Sequence, residues 1–246
     1  MILRILSIAK LVLLKMRRDK RSIGLVVVAP LLIMTLITFI FNEKPGTLQR
    51  VAPAIISVFT FLFTFLLTGI TFIRERASGT LERILLTNLK VHELLIGYFL
   101  GFFIFALIQA TIVTTFVLFM IDYSIDSTLI NLIIIIFLSV LCSVNAGIMF
   151  SSLAQNEFQM VQFIPVFFAP QIFLAGIFVP VHDMPRLLEI ISKFLPISYA
   201  FNSTKLTIIN KVSIEEIIFD LIILFIFSVI FIIASSLVVN SQKNNK

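Results

Sequence analysis

The chain is poor in nearly everything that carries chemistry. Of 246 residues one is cysteine, two are histidine, none is tryptophan, and 13% are charged. One cysteine makes no disulfide framework, and Cys142 lies inside an apolar run, where it reads as a small buried residue. His92 and His182 fall on opposite sides of the predicted membrane, so they share no metal, and no Cys/His ligand cluster exists. No serine stands in a nucleophile elbow or beside a plausible base. The pattern G-x-x-x-x-G-K-[ST] is missing, and no Gly-Lys pair occurs, so the chain holds no nucleotide in the P-loop manner. Ionisable residues avoid the central part of every apolar run; Glu157 and Asp220 sit at margins. Proton pumps and secondary transporters need such groups at depth. These absences argue against an enzyme, a resident cofactor and coupling by side-chain titration. Coupling through backbone carbonyls alone stays open. Any ATP and Mg would belong to another subunit.

What is present is membrane-compatible. The apolar fraction is 59% and the mean hydropathy +1.12. A bilayer crossing needs about 20 apolar residues, and six stretches qualify: 23–41, 51–73, 94–121, 129–153, 158–180 and 217–239. Backbone groups in hydrocarbon must pair within a helix or a closed barrel. Continuous apolar runs without alternation therefore predict helices. The expectation is an all-α integral membrane protein with six transmembrane helices, a single domain over 1–246. The first apolar run is too long for a signal peptide and lacks a small-residue cleavage pattern, so it reads as a retained first span.

Orientation follows from Lys and Arg. Residues 1–22, the loop after the second span and the C-terminus carry thirteen, against six on the other side. This predicts a multi-pass cell-membrane protein with both termini cytoplasmic. The net charge of +6 then reports topology; nucleic acid is not an expected partner.

Residues 2–18 mix Ile, Leu and Val with Arg4, Ser7, Lys10, Lys15, Arg17 and Arg18, which occupy about half a helical circumference, with Leu11 and Leu14 intruding. Segment 1–22 reads as an interfacial helix with its basic face toward anionic lipid, or else as an unstructured basic tail. Polar residues inside the spans are patterned. Ser57, Thr60, Thr64, Thr68 and Thr71 share one helix face, and Ser139, Ser143, Gly147 and Ser151 recur every four residues. Gly97-Tyr-Phe-Leu-Gly101 opens the third span. Small residues at this spacing favour close helix packing. The hydroxyl stripe of span two fits either packing or a partly wet path. Span five carries Gln159, Gln162 and Gln171 with Pro165 and Pro170; the prolines remove backbone donors and predict a kinked, mobile helix. The outer link 180–215 contains Pro185, suited to a first helical position, an apolar stretch to Leu195, and Pro196, expected to stop it. It is too apolar for free solvent and too short to span, so it should dip into, or lie on, the outer leaflet as a re-entrant segment.

One charged run interrupts the grease: Arg74-Glu75-Arg76-Ala77-Ser78-Gly79-Thr80-Leu81-Glu82-Arg83-Ile84-Leu85-Leu86. Gly79-Thr80 breaks it, Thr80 can cap a helix starting at Leu81, and Glu82 in its first turn suits the helix dipole. Leu81, Ile84 and Leu85 form one face. Segment 74–90 reads as a cytoplasmic lever for a docked partner, or as a charged loop that only sets topology.

This run resembles the motif after the second span of ABC-2-type transporter permeases, the membrane subunits of two-component ABC exporters. The stretch Leu174-Ala-Gly-Ile-Phe-Val-Pro-Val-His-Asp-Met-Pro-Arg-Leu-Leu-Glu-Ile-Ile-Ser-Lys-Phe-Leu-Pro-Ile-Ser-Tyr-Ala200 resembles the family's second motif. The drug-resistance-like branch is the nearer match; the polysaccharide-export branch fits the first motif less well. Ala175 stands where Ser or Thr is common. The resemblance implies a permease that dimerises with a second copy or a homologous permease, each half docking a separate ATPase. It implies coupling through Arg74, Glu75, Arg76, Gly79, Thr80, Leu81, Glu82 and Arg83. It implies spans one, two and five beside the path, with Ser57, Thr60, Thr64, Thr68, Gln162 and Gln171 as lining. It implies an outer gate at Gly176, Pro180, Met184, Pro185 and Pro196, and an amphiphilic cargo: drug, lipid-like molecule or peptide. A scaffold or sensor subunit, a glycan-export permease and a passive channel are the competing readings.

Overall fold

The structure is a computed structural model that describes residues 2–41, 45–80, 91–124 and 126–244. The described residues form nine α-helices: α1 (Ile2–Arg18), α2 (Lys20–Ile40), α3 (Pro45–Ala77), α4 (Val91–Met120), α5 (Leu129–Leu153), α6 (Glu157–Leu174), α7 (Arg186–Ser192), α8 (Pro196–Lys205) and α9 (Ile214–Asn244). A 3-10 turn at Val181–Asp183 and a π-helical turn at Leu206–Asn210 complete the described segments. Among the described residues five helices, α3, α4, α5, α6 and α9, are long and apolar enough to cross a membrane, and α2 contributes a shorter apolar stretch, Val26–Ile40. Among the described residues there is no strand. The protein is an all-α, multi-pass membrane protein.

Helix α3 is the hub, packing on α2, α4, α5, α6 and α8. Its partner α5 presents Ser139, Ser143, Gly147 and Ser151, all buried. The absence of a side chain at Gly147 is what permits this approach. A Cβ there would stand 2.9 Å from Thr68 Cβ and 3.0 Å from the Phe65 carbonyl oxygen. Ser143 Oγ donates to the Phe61 carbonyl at 2.5 Å across the same seam. Asn145 Nδ2 donates to Ser228 Oγ at 2.6 Å and ties α5 to α9. Polar groups in apolar surroundings that find such partners hold helices together.

The glycines of α4 serve a different neighbour. A Cβ added at Gly97 would stand 2.6 Å from Ile8 Cβ, and one added at Gly101 would stand 2.7 Å from Val12 Cβ. Arg4 meets Glu93 at 3.9 Å. Residues 4, 8 and 12 thus pass 93, 97 and 101 in order, so α1 lies along the start of α4 in the same direction. The amphipathic N-terminal segment is a helix, with Ile5, Ile8, Ala9, Val12 and Met16 buried and Ile2, Leu3 and Leu6 exposed.

Several boundaries differ from expectation, three of them at glycine or proline. The fifth span ends at Leu174, not 180, because Gly176 adopts φ +87°, a left-handed conformation that glycine takes without strain. Pro185 precedes α7 by one residue instead of opening it. Pro196 starts a helix where it was expected to end one: it is the first residue of α8, where its missing N–H costs nothing. Helix α8 and the π turn were not foreseen, and they are core, with Ile197, Ala200, Ser203, Thr204 and Thr207 at 0% exposure.

Candidate functional site

Arg74, Glu75 and Arg76 still belong to α3, which runs four residues past the expected end of its span. Nothing in Arg74 to Ala77 opposes a helix; the break falls at Gly79, with φ +70°. Thr80 is described, with its hydroxyl 2.9 Å from Ser78 Oγ. Leu81, Glu82 and Arg83, with the rest of 81–90, lie outside the described residues.

The three charged residues tie four elements together. Glu75 accepts from Lys15 Nζ of α1 at 2.7 and 2.9 Å and from Tyr98 Oη of α4 at 3.1 Å. Arg74 grips Glu157, at the start of α6, with Nε and Nη2 at 2.9 and 3.1 Å. This fork is the strong form of a charge-assisted hydrogen bond. Its remaining nitrogen reaches Asp19, at the α1–α2 junction, at 3.3 Å. Arg76 donates to the carbonyls of Ser151, Ser152 and Ala154 at 2.5, 3.0 and 3.1 Å. The last carbonyls of a helix lack intrahelical donors and carry partial negative charge, so a guanidinium there both satisfies and neutralises them. A displacement of the α3 end therefore pulls on α1, α4 and the α5–α6 turn together. The sequence reads these residues as handles for a partner; the hydrogen bonds named above run to other helices of the same chain. Lys15, Asp19, Tyr98 and Glu157 are the members that sequence reasoning missed. The signals were Lys15 on the basic face of α1 and Glu157 at a span margin.

The expected path residues separate into two groups. Ser57, Thr60, Thr64, Thr68 and Gln171 are 0–2% exposed inside the protomer. Ser57 Oγ donates within α3 to Pro53 O at 2.8 Å and lies 3.1 Å from Thr204 Oγ1 of α8. Gln171 Oε1 accepts from the backbone N–H of Ile197 at 3.2 Å and so supplies a partner to the first turn of α8. Gln162 is exposed on α6, beside exposed Val161, Pro165 and Val166.

The expected gate residues gather at the opposite pole. Gly176 and Met184 are half-buried, Pro180 and Pro185 are exposed, and Pro196 is buried. At that pole a second tie joins the loop before α5 to the residue after the π turn. Lys211 Nζ donates to Asp126 Oδ2 at 2.7 Å and to Ser124 Oγ at 3.0 Å. The Lys211 and Thr128 hydrogen bonds pull the Asp126 carboxyl down to about 2. Among the described residues no group of three or more His, Cys, Asp or Glu is placed to hold a metal ion.

A family model, the ABC-2 type transporter, matches residues 4–209. The chain belongs to the ABC-2 type transporter family. The match runs from α1 to the π turn and stops short of α9. No curated protein matches the chain. The membrane domain of an ABC-2 transporter is a transport component, generally non-catalytic, and generally works with an ATPase partner. In this ABC-2 permease the charged network sits immediately before the segment 81–90.

Proposed function

We propose that this permease forms the transmembrane path of an ATP-driven exporter of amphiphilic molecules, with energy delivered at the pole of Arg74, Glu75 and Arg76. The observation that carries this reading is the tie between the α3 end and α1, α4 and α6. A separate ATPase subunit, using ATP and Mg, docks on the segment 74–90, and Gly79, Thr80, Leu81, Glu82 and Arg83 form its seat. Its closure shifts the permease only by binding one conformation better than the other. The thirteen cations on this side support a cytoplasmic position for it and for both termini in a cell-membrane protein. This chain itself binds no nucleotide.

Two copies, or this chain and a homologous permease, enclose the path between lightly packed α6 helices. Gln162 faces it in the present conformation; Ser57, Thr60, Thr64, Thr68 and Gln171 join it only when α3 parts from α5 and α8. The turn at Gly176, Pro180, Met184 and Pro185, with Pro196 behind it, is the outer gate. Apolar walls with few polar groups suit a drug, lipid-like molecule or peptide.

The test is ATP-dependent movement of a labelled amphiphile in proteoliposomes that contain the permease and its ATPase. The variant carrying Glu75→Gln, Gly79→Ala and Glu82→Gln should insert normally and hydrolyse ATP without transport. Unchanged transport in that variant removes the coupling assignment. Transport by neither protein, with a stable complex, favours a scaffold.

A further inference from the structure

At the pole opposite Arg74 a cavity of about 330 Å³ lies between the turn after α6, helix α8 and the start of α9. Its wall includes Gly176, Ser198, Tyr199, Asn202, Lys205 and Asp220. The charges around it are of two kinds. At the rim, His182 lies 3.5 Å from Asp183 and Lys193 lies 2.9 Å from Glu189, so the imidazole and the ammonium each have an acid of their own. Deeper, Asp220 and Lys205 line the same space, and among the described residues neither has an opposite charge within 4 Å.

Asp220 is 7% exposed. Asn202 Nδ2 and Ser203 Oγ donate to its Oδ2 at 2.8 and 3.1 Å. Among the described residues no donor reaches Oδ1. Ser198, 9% exposed, keeps its hydroxyl buried and without a partner. A buried carboxylate without a cation is costly, and so is a buried hydroxyl without a partner. A cavity holding an unanswered acid, an unanswered base and an unanswered hydroxyl calls for a ligand with both charges.

We propose that this cavity binds a zwitterionic headgroup, with its ammonium on Asp220 Oδ1 and its phosphate on Lys205 and Ser198 Oγ. A primary ammonium fits best, since its three donors match a carboxylate oxygen and nearby acceptors. The shared chemistry is phosphoethanolamine, either on a phospholipid or free. The flanking segments favour the lipid: Phe178, on the turn after α6, and Leu187 and Phe194, in and just after α7, are 65%, 69% and 71% exposed and offer apolar surface to acyl chains. The site does not depend on what the permease transports.

The experiment is native mass spectrometry of the full-length protein released from detergent, with phosphatidylethanolamine and phosphatidylglycerol offered in equal amounts. Phosphatidylethanolamine should be retained about tenfold over phosphatidylglycerol. Asp220→Asn should abolish that preference, and Lys205→Met should weaken retention with an unchanged melting temperature. Lys205→Met keeps the test open if Asp220→Asn misfolds. Equal retention of the two lipids, or a preference that survives both variants, overturns the proposal. A parallel arm offers glycerophosphoethanolamine. If this soluble compound binds through Asp220 while no lipid preference exists, the headgroup chemistry stands and the lipid source falls.

Discussion

Helices α3 and α6 are both apolar spans that carry polar residues, yet they are used in opposite ways. In the apolar stretch of α3 78% of the residues are buried, whereas over the whole of α6 17% are. In α3 the polar residues are hydroxyls at 3/4 spacing, and they face α5 and α8 within the protomer. In α6 they are amides among prolines. Of the three, Gln171 is turned inward onto the first turn of α8, Gln159 accepts from the Gln155 N–H at the helix start, and Gln162 faces out. A short hydroxyl fits between helices at close approach, whereas a proline-bearing helix packs poorly and leaves its surface for whatever lies beyond the chain. Periodic polarity in a span therefore marks a seam, and a lone exposed amide on an underpacked helix marks an outward face.

The sharpest way to break this contrast is at the seam. Gly147→Leu puts side-chain atoms into Thr68 and the Phe65 carbonyl, and monodisperse protein should be lost on size exclusion. Val166→Leu on the exposed face of α6 should leave the elution profile unchanged. Similar profiles for the two variants would erase the distinction between the helices.

A gentler pair sharpens it. Gly147→Ala should cost about 1–3 kcal/mol, since backbone stands in the way. At Gly69 an added Cβ meets only the Met160 side chain, 2.0 Å from Cε, and a flexible thioether can move aside. Gly69→Ala should therefore melt closer to the parent protein than Gly147→Ala does; the reverse order would show that the α3–α6 contact is the rigid one.

The two amides come next. Gln171→Leu leaves the Ile197 N–H without its partner and should cost about 1–3 kcal/mol in a thermal or denaturant melt. Gln162→Leu should leave the melt unchanged and alter only transport. If both variants melt alike, Gln171 does not hold α8 as its hydrogen bonds indicate.

The smallest effect is expected at the Asp126–Lys211 tie. The carboxyl is depressed, so its contribution is present above its ordinary value of 3.8 and fades as pH falls toward about 2. The lysine is raised above 10.5, so its contribution is lost only above that value. Both groups stay charged from about pH 5 to about pH 9. An exposed pair contributes little, so Lys211→Met should shift the melting temperature slightly and by the same amount across that window. A shift that grows with pH inside it would mean that another group titrates against Lys211.

Much of the fold was legible because hydrocarbon allows few solutions: long apolar runs become helices, and glycine and hydroxyl spacing marks where they meet. The termini of α5 were read to the residue from its apolar run. Helix α8 was not legible because its sequence, Pro-Ile-Ser-Tyr-Ala-Phe-Asn-Ser-Thr-Lys, has no stretch long enough to suggest a span. Its burial depends on Asp220, Gln171 and Ser57 arriving from three other helices. The site was half legible. Arg74, Glu75 and Arg76 stood out as charges between spans, but nothing local says that Glu75 meets Lys15, sixty residues earlier. Such pairs arise from the folded path of the chain, and a single sequence does not display them.

The most direct test of energy delivery at this pole uses the one native cysteine, Cys142, which is fully buried. Ser78 is exposed beside the network, and Lys193 is exposed at the opposite pole. Membranes expressing Ser78→Cys or Lys193→Cys are treated with a thiol crosslinker, and the products are identified by mass spectrometry. The account predicts a stoichiometric P-loop ATPase joined to Ser78→Cys and none joined to Lys193→Cys. An ATPase captured equally at both poles, or no ATPase at Ser78→Cys, would contradict it.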